Sequence, residues 1–123
     1  MLIGTNNLGP GAASAENVAQ GIFQIIARLK QISPQSRILL LGVPPRGATA
    51  QDPTRAGVAQ VNRLIAACAD GQRVLFADPG SMLIDAAGIL PDWVAYDRLH
   101  LSMVAYAMIA AAIEPQLQEI IGR

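Results

Sequence analysis

Arg37-Ile38-Leu39-Leu40-Leu41-Gly42-Val43 decides the fold. The run is apolar without alternation, and such runs suit a parallel strand covered on both faces rather than a half-solvated one. Pro44-Pro45-Arg46-Gly47 ends it in a loop. Outward from this strand the same grammar repeats. Val74-Leu75-Phe76-Ala77 predicts another buried strand. Met1-Leu2-Ile3 reads as the end of a third, running into the loop Gly4-Thr5-Asn6-Asn7-Leu8-Gly9-Pro10-Gly11. Helices lie between. Ser14 is an N-cap with Glu16 in the first turn. Val18, Ile22, Ile25, Leu29 and Ile32 then keep helical spacing until Pro34. Asp52 caps a second helix with Pro53 at its first position, and Val58, Val61, Leu64, Ile65 and Cys68 form its stripe. Asp78 to Asp97 is irregular. Ser102 caps a last helix that runs to about Ile121. Ala105, Ala107, Ala110, Ala111 and Ala112 predict close packing of that helix.

Strands alternating with helices imply right-handed crossovers and a parallel sheet, a three-layer α/β arrangement. The whole chain, residues 1–123, reads as one domain. Ligands of such sheets bind beyond the carboxyl ends of the strands. Asn6, Asn7, Pro44, Arg46, Asp78 and the Asp97–His100 loop all fall there.

Composition removes several classes of function. Nine basic residues balance nine acidic ones, and nothing clusters into a nucleic-acid footprint. No apolar run approaches the ~20 residues of a membrane span, and no signal peptide is visible. Cys68 stands alone, so no internal disulfide is expected. One His and one Cys are too few for a Cys/His zinc site; no metal and no cofactor is expected. Gly4, Gly9 and Gly11 fit neither a phosphate loop nor a dinucleotide fingerprint.

The chemistry concentrates at His100, the only histidine, three residues after Asp97. A carboxylate that accepts from one ring nitrogen fixes the tautomer and leaves the other nitrogen to take a proton from a nucleophile. Such a pair is equally a common structural hydrogen bond. An asparagine amide in the Gly4–Asn7 loop could donate to an oxyanion, although Asn pairs after strands also serve turns. Among the serines, Ser14 and Ser102 read as caps, and Ser33 and Ser36 flank Pro34. Ser81, after the Val74–Ala77 strand, is the nucleophile candidate on the suitable face. Arg46 could hold an anionic group or be solvated. Trp93 and Tyr96 could wall an acyl pocket or anchor their loop. Asp70 and Asp78 read as turn residues, Cys68 as a small core residue.

Gly4-Thr5-Asn6-Asn7 is similar to the Gly-x-Asn-Asp block of the SGNH (GDSL-type) serine hydrolases, and Asp97-Arg98-Leu99-His100 to their Asp-x-x-His block. Leu41 to Gly47 resembles the strand and loop between those blocks. Within the family the chain looks most like the platelet-activating factor acetylhydrolase catalytic subunits. The resemblance implies Asn6 as oxyanion donor, His100 as base and Asp97 as its orienter, acting on short acyl or acetyl esters. The family's Gly-Asp-Ser block and the glycine of its second block have no counterpart in this sequence. The implied fold is a flavodoxin-like SGNH sheet lacking its first two strands. Met1–Ile3 would then be a bare edge and the last helix would expose an apolar flank, so a homo-oligomer is expected. The alternative is an inactive remnant that folds as an oligomeric α/β module.

Overall fold

The computed structural model describes residues 1–9 and 11–122. Its elements are α1 (Ala15–Ile32), β1 (Ile38–Leu41), α2 (Pro53–Ala66), β2 (Val74–Ala77) and α3 (Met103–Ile121). Single 3-10 turns occupy Thr5–Asn7 and Pro79–Leu83. β1 and β2 pair in parallel, from Ile38 opposite Val74 to Leu41 opposite Ala77.

Side chains alternate across these strands. Ile38, Leu40 and Val74 point to a core built with Val18, Ile22 and Ile26 of α1 and Val58, Val61 and Ile65 of α2. Leu39, Leu41 and Leu75 point the other way, to Ala105 and Ile109 of α3 and to Leu83, Leu90, Val94 and Ala95. Burial on both faces explains the unbroken apolar run that opened the sequence reading. The three-layer α/β reading holds.

The cap expectations hold as well. Ser14, Asp52 and Ser102 each accept a backbone N–H of the first turn, from Asn17 (3.2 Å), Thr54 (3.0 Å) and Ala105 (3.2 Å). Asp70 accepts from the N–H groups of Gln72, Arg73 and Val74 and pairs with Lys30 at 3.1 Å. These donors hold its carboxyl well below the usual carboxylate range.

Three expectations need correction. The first strand is reduced to a single parallel bridge: the Met1 amine donates to the Leu39 carbonyl, and the Leu41 N–H donates to the Met1 carbonyl at 2.9 Å. Gly4, at φ 121°, then diverts the backbone into the 3-10 turn, so pairing goes no further. The α1 stripe is displaced: Ala15, Ala19 and Ile26 are buried with Val18 and Ile22, whereas Ile25 and Ile32 are exposed. A 3.6-residue period carries the inward face from Ile22 to Ile26, leaving Ile25 at its margin. In α3, only Ala105 and Ile109 are fully buried, and Ala107, Ala110 and Ala111 face solvent. The helix touches the sheet along one narrow line, so most of its small residues have nothing to pack on. Arg37 ties its far end down, donating to the Glu119 carbonyl at 2.6 Å and the Gln72 carbonyl at 2.8 Å.

Candidate active site

Asp97 uses its two carboxylate oxygens for different tasks. Oδ1 accepts from the backbone N–H of Leu99 (3.0 Å) and of His100 (2.8 Å), closing a tight turn. Oδ2 lies 2.6 Å from His100 Nδ1. The imidazole bond, aided by those backbone donors, holds the Asp97 carboxyl down to about 2. An ionised carboxylate on Nδ1 favours the tautomer with the proton there, and leaves Nε2 as the acceptor. The His100 side chain is 74% exposed, so the ring is accessible. Ser102 starts α3 two residues later.

Asn6 lies on the 3-10 turn that follows the Met1 bridge. A Cβ on Gly4 would stand 3.3 Å from both Val18 Cγ1 and Val43 Cγ2. Glycine therefore lets the turn lie against the core at a φ other residues avoid. The turn is held from outside by Arg46, whose guanidinium donates to the Thr5 carbonyl at 2.6 Å.

The structure brings Asn6 and His100 to one cavity of about 180 Å³, walled by Leu2, Ile3, Pro44, Leu101 and Tyr106. Asp97 stands behind His100. Gly4 and Asn7 face a neighbouring depression against α1. Ser81 is not brought there: it lines two other cavities, one with Asn62 and Asp78 and one with Gln116 of α3. No serine is among the residues lining the cavity of His100. Trp93 and Tyr96 are exposed and do not line it either. Among the described residues no His, Cys, Asp and Glu group could hold a metal ion, and no helix is long and apolar enough to cross a membrane.

Five residues in this region were given no part in the site by sequence. Tyr106 and the Leu2–Ile3 pair form the cavity's apolar wall. Arg98, which stands between Asp97 and His100, is the one non-glycine residue with positive φ (63°) among those described. Asn62 of α2, hidden in an apolar stripe, is a buried amide bonded to Val43 and Asp78. An asparagine at a stripe position was the available signal, since buried polar side chains require partners.

A carboxylate-bonded imidazole and an asparagine side chain thus share one cavity at the carboxyl edge of the parallel sheet. Residues 1–108 match the GDSL-like lipase/acylhydrolase family, and the chain belongs to that family. Among its relatives, the human platelet-activating factor acetylhydrolase IB subunit alpha1 is 34% identical, across 98% of this chain and 51% of that protein. The alpha2 subunit from Gallus gallus is 31% identical, across 97% and 51%. The chain thus spans about half the length of these relatives. Two solved structures share the fold. A carbohydrate acetylesterase family member from Sinorhizobium meliloti has a TM-score of 0.74 at 20% identity, covering 99% of this chain and 60% of its own. The aryl esterase of M. smegmatis has a TM-score of 0.70 at 17% identity, covering 97% and 59%. The fold is therefore that of the SGNH hydrolases.

Proposed function

We propose that this chain carries the base, orienter and oxyanion side of a carboxylic-ester hydrolase site for short acyl groups. The observation that carries this reading is the shared cavity of Asn6 and His100, with Asp97 2.6 Å behind the imidazole. A hydroxyl nucleophile attacks the ester carbonyl while His100 Nε2 takes its proton. The tetrahedral oxyanion accepts from the Asn6 amide. His100 then returns the proton to the departing alcohol, and water repeats the cycle on the acyl-enzyme. The cavity, several times the ~30 Å³ share of a water molecule, suits a short acyl group against Leu2, Ile3, Leu101 and Tyr106. The lining holds no serine; its hydroxyls are those of Thr5 and Tyr106.

That last feature favours a second reading, a non-catalytic α/β module that self-associates. The exposed Leu2 and Ile3 and the exposed Met103, Val104 and Tyr106 of α3 support it.

Intact-mass analysis after treatment with a fluorophosphonate, alongside hydrolysis of p-nitrophenyl acetate, separates the two. A stoichiometric adduct and ester turnover that both vanish in His100→Ala support the hydrolase. No adduct, with turnover identical in wild type and His100→Ala, leaves the module.

A further inference from the structure

We infer that Arg98 is the positioning residue of the Asp97–His100 pair, the link that sets where the imidazole stands. The inference rests on the hydrolase reading for its purpose and on geometry for its substance. Four bonds converge on Arg98. Its N–H donates to the Ala95 carbonyl at 3.0 Å, and its carbonyl accepts from the Gly47 N–H at 2.9 Å. Its guanidinium donates to the Leu90 carbonyl and pairs with Asp92. Leu90 itself is fully buried, and its N–H donates to the Ala48 carbonyl at 3.0 Å. The residue between the orienter and the base is thus bonded to two separate loops, which are bonded to each other.

The backbone conformation sharpens the point. Left-handed φ is unfavourable for a residue with a Cβ, and such outliers persist only where the surroundings over-determine them. Glycine would satisfy φ 63° at no steric cost, yet would leave the Leu90 carbonyl and Asp92 without their guanidinium. Among the described residues, Asp97 is the one hydrogen-bond partner of the exposed His100 ring. The ring's direction depends on the Asp97 turn, and the turn's place depends on Arg98.

Because His100 is the only histidine, the imidazole nitrogens can be read without assignment. The experiment is a long-range ¹H–¹⁵N correlation at alkaline pH, giving the ratio of Nδ1–H to Nε2–H tautomers. Asp97→Ala supplies the value for a broken pair. In wild type the Nδ1–H form should dominate. In Arg98→Gly, which fits the backbone and removes the clamp, the ratio should fall by about threefold or more toward the Asp97→Ala value. Should Arg98→Gly lose amide dispersion, Arg98→Lys decides, because a lysine point charge cannot serve both Leu90 and Asp92; an intermediate ratio is expected. A folded Arg98→Gly with the wild-type ratio, or a wild-type ratio in Arg98→Lys when Arg98→Gly does not fold, overturns the inference. Failure of the hydrolase reading shows separately, in probe labelling that is indifferent to His100→Ala.

Discussion

The Asn62 carboxamide bonds both backbone polar groups of Val43, accepting from its N–H at 2.7 Å and donating to its carbonyl at 3.0 Å. The Gly42 N–H still bonds the Ala77 carbonyl at 2.8 Å, and the Asn62 side chain takes the place of a strand neighbour one residue further on. Its second N–H reaches Asp78 Oδ2 at 3.1 Å, just past the end of β2. One buried amide from α2 therefore closes the carboxyl ends of both strands and fixes the start of the Pro44–Gly47 loop.

Asn62→Leu keeps the side chain's approximate size and deletes all three bonds. Val43 is buried, so its N–H and carbonyl lose their partner without gaining water. Unpaired buried groups cost about 1–3 kcal/mol each, and we expect a loss of about 3 kcal/mol in the urea-unfolding free energy. A change below about 0.5 kcal/mol, the level of an ordinary surface substitution, would mean the amide is not satisfying Val43.

The turn that presents Asn6 has its own test. Arg46→Ala removes the charged donor from the Thr5 carbonyl, a bond to a charged group of about 1.5–3 kcal/mol. We expect about 1–2 kcal/mol of destabilisation because Thr5 is only partly buried, and faster amide exchange at Asn7 and Leu8. Arg46→Lys should recover little, since a lysine cannot reproduce the guanidinium's direction. Unchanged exchange at those amides would place the turn's rigidity elsewhere.

Gly4→Ala addresses the same turn from inside. At φ 121°, with Cβ contacts of 3.3 Å to Val18 and Val43, an added methyl meets both backbone strain and two buried valines. Strain of this kind costs about 1–3 kcal/mol. Pairing it with Val18→Ala should recover the packing part and leave the strain part, so the double mutant should cost less than the sum. Full additivity would show that the methyl and Val18 do not meet.

The layers were legible in the sequence because continuous apolar strands and capped helices are local signals. Ser14, Asp52 and Ser102 are read from a few residues each, and Asp97 and His100 from four. What could not be read depends on contacts between distant segments. Ile25 is spaced like a core residue, but whether it is buried depends on the angle at which α1 meets the sheet. The alanines of α3 are suited to close packing, but only a neighbouring element could supply it. Arg46, Arg98 and Asn62 do their work through backbone carbonyls and amides far along the chain, and side chain-to-backbone bonds leave no periodic trace. Ser81 is near the correct edge by topology, yet the 3-10 turn at Pro79–Leu83 turns it to other cavities.

The Asp97 pair gives the last prediction, and its sign follows from the direction of the shift. The carboxyl is held down to about 2 from an ordinary 3.8, with the His100 ring as the largest cause and backbone N–H groups adding to it. A carboxylate with a depressed folded pKa contributes stability that is fully present above its unfolded value. That contribution is lost as pH falls from about 4 through about 2, while above pH 5 it is constant. In His100→Ala the Asp97 midpoint, followed by its carboxyl ¹³C shift, should rise toward the ordinary value. It should not reach it, because the N–H groups of residues 99 and 100 still donate to Oδ1. Asp70, held low by Val74, Gln72 and Lys30, has no part in the pair and should titrate identically in both proteins. A movement of Asp70 would indicate a global change, whereas a fixed Asp97 midpoint would mean that the imidazole and the carboxylate do not meet in solution.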